Sequence, residues 1–402
     1  MRSWLLRIVE SCRVVAYSYP NASGERSISL NLVLSRPGSA RPGWWTHNRN
    51  VLAALCADLF VAHHQQESTV VSIDSGTAAR PQTKLSASTR PSAAGRAQVL
   101  RWFPLALGLG GLGGAWRTAV GLGGPTWPTV TLTVLCLLAW LTATAAYAAN
   151  GGWSLRAFFA DLRHPEQGFA VGYLTVVPML LVAQAAQYTP AFRMFAPVLV
   201  ALWAVSTAAL VAHWITTPRE HHEIHPGFSL PVVAGPFIAS ISLQANGWHA
   251  PAQGAFAIGA FFWMMFGTLI TGRLMTQQPL PDARFPTLVT LMVPPATASN
   301  AWFTLSGNRM TTVSLGLAAV LAMMTLIQLF ILPDYLRQPF TISAWVFSFP
   351  LASTANVVGH WAIANPQPAV DVAAWATLAA ATALVALLAV RTGWLVARTF
   401  RR

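Results

Sequence analysis

Four prolines carry the chemistry most visible in this sequence. Pro178, Pro236, Pro294 and Pro350 lie 58, 58 and 56 residues apart, each within an apolar span. Proline has no N–H and its ring displaces the carbonyl four residues earlier from its helical bond. Each therefore frees polar backbone inside an apolar stretch. In lipid such groups persist only where protein buries them or a watery cavity receives them. Freed N–H groups and helix N-termini favour an anion, whereas freed carbonyls suit a cation. The polar side chains in these spans are neutral: Thr175, Gln184, Ser240, Ser242, Thr297, Ser299, Asn300, Ser348, Ser353, Thr354 and Asn356. Proton-coupled carriers place an ionisable group in the membrane, and cation channels use carboxylate rings. The proline-bearing spans contain neither Asp nor Glu. A neutral lining of hydroxyls, amides and broken-helix N-termini points to a weakly held anion.

Other residues of chemical type fall away. The run from Arg219 to Pro226 contains Glu220, His221, His222, Glu223 and His225, which have metal-ligand chemistry but read as a solvated loop. His213, His249 and His360 stand near span ends without the matched depth that a haem needs. Cys12, Cys56 and Cys136 suggest neither a disulfide framework nor a metal finger. No serine, cysteine or carboxylate constellation suggests an enzyme, and no metal or cofactor is implied.

The elements that hold the prolines follow from hydropathy. The chain has 402 residues, 54% hydrophobic and 9% charged. A soluble domain carries roughly 25% charged residues, so the composition is that of a polytopic helical membrane protein. Ten spans are predicted: Phe103–Val120, Trp127–Ala149, Phe169–Tyr188, Phe192–Ile215, Leu230–Asn246, Gln253–Leu274, Phe285–Leu305, Met310–Leu332, Phe340–Trp361 and Val370–Leu395. A period near 58 residues is two helices and their turns. The expected fold is all-α: five hairpins, with an inner ring of broken odd helices lining a path and an outer ring of plain ones. The first span has Gly108, Gly110, Gly111, Gly113 and Gly114 in place of proline, and glycine also weakens a helix and permits close approach.

The net charge of +13 could suggest nucleic acid, but its distribution excludes that partner. The first 101 residues carry 12 basic and 5 acidic side chains, and most of the remaining excess lies in loops. With the N-terminus inside, Arg101, Arg156, Arg163, Arg219, Arg273, Arg284, Arg337, Arg398, Arg401 and Arg402 fall on the cytoplasmic side. Only Arg117, Arg193 and Arg309 fall outside. The positive-inside rule then puts both termini in the cytoplasm. Residues 1–98 read as a disordered extension or as sequence upstream of the true start, with a short amphipathic helix at Asn50–Ala62. Residues 99–402 read as the membrane domain.

Two runs resemble the tellurite-resistance/dicarboxylate transporter family, which includes bacterial channels and plant slow anion channels. One is His225-Pro-Gly-Phe-Ser-Leu-Pro-Val-Val-Ala-Gly-Pro-Phe237, and the other is Trp345-Val-Phe-Ser-Phe-Pro-Leu-Ala-Ser-Thr-Ala-Asn356. Leu107–Leu112 with Trp116, and the Pro178 region, match more weakly. The resemblance covers about residues 101–402. It implies a quasi-fivefold ten-helix protomer, a homotrimer with one pore per subunit, and a multi-pass protein of the bacterial inner membrane passing small inorganic or carboxylate anions. Some members are malate or dicarboxylate carriers, and some are linked to tellurite resistance. The resemblance also implies a pore occluded by a phenylalanine on the seventh helix. Laying Pro294 on the matching proline puts Ala296 at that place, so either the pore is not shut there or Phe237, Trp302 or Phe349 blocks it. The candidate pore and gate residues are thus Ala296, Pro294, Pro178, Pro236, Pro350, Phe237, Phe349 and Ser299.

Overall fold

Three of the four prolines open an α-helix rather than interrupt one. Helix α7 (Gly235–Ala245) begins one residue before Pro236, helix α9 (Val293–Leu305) one before Pro294, and helix α11 (Ser348–Ala364) two before Pro350. The first turn of a helix leaves its N–H groups without intrahelical partners, so the missing donor costs nothing there. Upstream of these starts the backbone winds differently: a π turn at Leu230–Ala234 and 3-10 turns at Phe285–Met292 and Ile342–Phe347. Pro178 differs by lying inside helix α5 (Tyr173–Ala185), which follows a 3-10 turn at Gly168–Gly172. Each of these four apolar segments is therefore broken into two windings.

The structure, a computed structural model, describes residues 12–20, 26–34, 93–164, 167–217 and 223–400. The chain divides into two compact units, Met1–Ser86 and Ala87–Arg402. The first contains an antiparallel hairpin of β1 (Cys12–Pro20) and β2 (Arg26–Leu34), with Cys12 opposite Leu34 and Pro20 opposite Arg26. The helix expected at Asn50–Ala62 lies outside the described residues.

The second unit is all-helical. Besides α5, α7, α9 and α11 it contains α1 (Ala93–Leu100), α2 (Phe103–Val120), α3 (Trp127–Tyr147), α4 (Leu155–Leu162), α6 (Phe195–Thr216), α8 (His249–Thr276), α10 (Thr312–Arg337) and α12 (Pro368–Phe400). The boundary expected at 98/99 falls inside α1. Eight helical segments among the described residues are long and apolar enough to cross a membrane, making this a multi-pass membrane protein. The expected spans Phe103–Val120 and Phe285–Leu305 are helical but not among the eight. Glycine and neutral polar residues lower their hydropathy, and both are largely enclosed by other helices.

Burial separates two classes of helix. In the apolar window of Pro226–Ala245, 83% of residues are buried, against 11% in that of Thr312–Arg337. Helices α2, α5, α7, α9 and α11 are the enclosed set. Each packs on the next, and α11 packs back on α2, which closes the cycle. Helices α3, α6, α8, α10 and α12 present exposed Leu, Val, Met and Phe side chains, such as Leu138, Val205, Met264, Phe330 and Val390. A helix apolar on its outward face belongs in lipid.

The closest approach in the cycle is between α2 and α11. A Cβ built on Gly108 would stand 1.8 Å from Ser348 Oγ, and one on Gly111 would stand 2.8 Å from Phe349 Cδ2. Glycine at these two positions lets the backbones meet.

Candidate permeation path

The five enclosed helices line two separate cavities, one toward each end. The first, about 250 Å³, is bounded by Arg101 and Pro104 of the α2 segment, Phe169 and Tyr173 leading into α5, and His225 and Leu230 leading into α7. Arg284, Thr287 and Thr290 leading into α9, with Ser343 and Val346 leading into α11, complete it. The second, about 330 Å³, is bounded by Gly114, Arg117 and Thr118 of α2, Leu180, Ala183 and Gln184 of α5, and Ile241 and Ala245 of α7. Asn300, Phe303 and Thr304 of α9, the following Gly307 and Asn308, and Asn356 and His360 of α11 close it. Every enclosed helix thus contributes its upstream end to one cavity and its downstream end to the other.

Among the described residues, neither cavity is lined by Asp or Glu. Three arginines line them, Arg101 and Arg284 in the first and Arg117 in the second. Several backbone carbonyls of these segments accept side-chain hydrogen bonds. Trp203 Nε1 of α6 donates to Pro231 O at 2.9 Å, and Gln328 Nε2 of α10 to Leu288 O at 3.3 Å. Gln184 Nε2 donates to Gly110 O at 2.6 Å, Arg117 Nη1 to Ala183 O at 3.0 Å, and Asn300 Nδ2 to Ser353 O at 3.0 Å. Thr297 and Ser299 hydroxyls bond back to Val293 O and Pro295 O, both at 2.7 Å.

None of the eight candidate residues lines either cavity. Pro178, Pro236, Pro294 and Pro350 are buried. Ser299 is buried and turned to its own helix. Ala296 is fully buried in a cluster with Val289, Met292, Phe303, Leu321, Tyr335 and Val357. Phe237 points outward: its ring meets Phe256 at 5.3 Å and Trp263 at 6.3 Å, both on α8. Trp302 likewise packs on Phe256 and donates to Thr311 Oγ1. Phe349 differs from these. It is 6% exposed, stands between Val346 of the first cavity and Asn356 of the second, and its ring lies against Gly111 of the neighbouring enclosed helix.

Sequence reasoning placed Arg101, Arg284 and Arg117 at span ends without assigning them to a path. His225 entered only as part of a loop and a run. Their convergence depends on five segments far apart in sequence, and no local spacing encodes it. Of the Arg219–Pro226 run, residues 219–222 lie outside the described residues, and no cluster of metal-ligating side chains occurs among the described ones.

Comparison with known proteins agrees with this geometry. The family model described as "Voltage-dependent anion channel" (SLAC1) matches residues 99–393. A "Tellurite resistance protein TehA homolog" of Haemophilus influenzae is 26% identical over 270 residues, covering 63% of this chain and 78% of its own. An "S-type anion channel SLAH4" of Arabidopsis thaliana is 24% identical over 211 residues, covering 49% of this chain and 57% of its own. The match of one family model to both ends of every enclosed helix places the chain in the voltage-dependent anion channel (SLAC1) family.

Proposed function

We propose that this protein is an anion channel whose path runs through the cycle of α2, α5, α7, α9 and α11. The observation that carries this reading is the lining: arginines, amides and hydroxyls in both cavities and, among the described residues, no carboxylate. Small inorganic or carboxylate anions fit such a surface, because it offers cationic and neutral N–H and O–H donors. All ten predicted spans cross the bacterial inner membrane in this reading, with quasi-fivefold pseudosymmetry, both termini cytoplasmic, and three subunits each holding a pore. The five enclosed helices support the ten-span count, since each is followed by an apolar helix with an exposed face.

Phe349 closes the path in this reading. This rests on two observations: its ring lies against Gly111 of α2, and Phe349 falls between Val346, which lines the first cavity, and Asn356, which lines the second, along one continuous segment. Ala296 then acts by packing behind the wall. A coupled dicarboxylate carrier is the second reading. Such a carrier needs a protonatable group in the path, and His360 is the group that would serve.

The test is anion uptake by proteoliposomes holding the full chain, comparing chloride, nitrate and malate with and without a pH gradient. Uptake that follows the anion gradient and ignores the pH gradient is expected. Uptake that requires the pH gradient would favour the carrier, and uptake no faster than in empty liposomes would end both readings.

A further inference from the structure

The cavity around Arg117 has an ordered supply of donors. Arg117 spends one N–H on Ala183 O, at 3.0 Å. The Asn356 Oδ1 accepts the Thr118 hydroxyl, and Asn308 Oδ1 lies 2.7 Å from His360 Nδ1. Gln184 is bonded at both ends, through Nε2 to Gly110 O and through Oε1 from the Thr133 hydroxyl. The amide oxygens of Asn356 and Asn308 are thus engaged by protein donors. Their NH2 groups, and the remaining N–H groups of Arg117, have no protein partner among the described residues. Asn300 contributes the opposite case: its NH2 is bonded to Ser353, and its Oδ1 is buried without a partner. Asn308 is held in place by its left-handed backbone (φ 61°) and by its N–H bonded to Phe303 O at 2.8 Å. His360 is stacked on Phe303, with ring centroids 5.3 Å apart.

We propose that this cavity is an anion-binding subsite in which Arg117 is the fixed charge and the NH2 groups of Asn308 and Asn356 are the neutral donors. This rests on the channel reading above and assigns one place on the path where the anion pauses. The ligand class is a small anion with one exposed negative group, a halide, nitrate or monocarboxylate end. A charge-assisted bond to guanidinium is about twice as strong as a neutral one, so Arg117 sets affinity and the amides set orientation. At about 330 Å³ the cavity admits such an anion with part of its water. Among the described residues, the anion's charge meets no carboxylate in this lining.

The test uses nitrate with the full chain and three proteins: wild type, Arg117→Gln and Arg117→Lys. In proteoliposomes, Arg117→Gln should raise the nitrate concentration for half-maximal uptake at least several-fold, with a smaller effect on maximal uptake. Arg117→Lys should lie between, because it keeps the charge and loses the planar fork. In detergent, nitrate should raise the thermal midpoint of wild type and Arg117→Lys but not of Arg117→Gln. Half-saturation and thermal shift unchanged in Arg117→Gln would overturn the subsite while leaving the channel reading intact. A wild type that takes up no nitrate yet is stabilised by it through Arg117 would retain the subsite and sink the channel. If Arg117→Gln fails to fold, an Arg117→Lys variant with wild-type half-saturation and an Asn356→Ala variant with no weakening would together overturn the proposal.

Discussion

Phe349 and Ser348 occupy the seam between α11 and α2, and the seam exists because Gly108 and Gly111 carry no Cβ. Gly108→Ala must push against Ser348 Oγ, which is itself bonded to Trp345 O at 2.6 Å. Overpacking of this kind costs about 1–3 kcal/mol. A lowered thermal midpoint is expected, with partial recovery in the Gly108→Ala/Ser348→Gly double variant, since neighbouring sites couple. Additive losses in that double variant would contradict the contact. Phe349→Ala should raise nitrate flux by about tenfold, the effect of removing roughly 1.4 kcal/mol from a barrier. Unchanged flux in a folded protein would mean that the ring does not obstruct the path. At this scale the sequence was informative about type more than direction. The neutral polar residues and the prolines were visible. That Phe237 turns to α8 and Phe349 to Gly111 depends on neighbours distant in sequence, not on the adjoining proline, which precedes Phe237 and follows Phe349.

Among the elements, α1 is tied down by charge. Arg96 Nε and Nη2 meet the two Asp161 oxygens at 2.6 and 3.1 Å, Tyr147 Oη donates to Asp161 Oδ2 at 2.7 Å, and Arg96 Nη1 donates to Asn150 O at 3.2 Å. The hydrogen bond to Asp161 holds the Arg96 guanidinium above its ordinary value. Its charged form is therefore favoured on folding, and that contribution is fully present at neutral pH. Asp161→Asn leaves a buried arginine short of its partner, and loss of one member of a buried pair costs about 3–5 kcal/mol. Chemical denaturation should show a destabilisation of that order, and a loss below about 0.5 kcal/mol, typical of an exposed pair, would contradict the burial. The clamp is invisible in sequence because its partners are 65 residues apart and Arg96 falls in the segment read as an extension. The apolar spans were legible from hydropathy alone. Their division into 3-10, π and α windings was not, since proline marks a break without saying on which side the α-helix resumes.

For the whole molecule, the two units predict a boundary that truncation can locate. Removing residues 1–86 should leave a monodisperse membrane protein with unchanged nitrate uptake. Removing residues 1–98 also deletes Arg96 and should lower its stability by an amount similar to Asp161→Asn. Equal stability of the two truncations would show that α1 is dispensable. The general architecture was legible because a repeat near 58 residues and the scarcity of charge both act along the chain. The two cavities were not, because each is assembled from five segments that only the closed cycle brings together. Whether this cycle conducts anions is decided by the reversal potential of the purified full chain in a planar bilayer under a KCl gradient. Reversal near the chloride equilibrium potential is expected, and reversal near that of potassium would show a cation path.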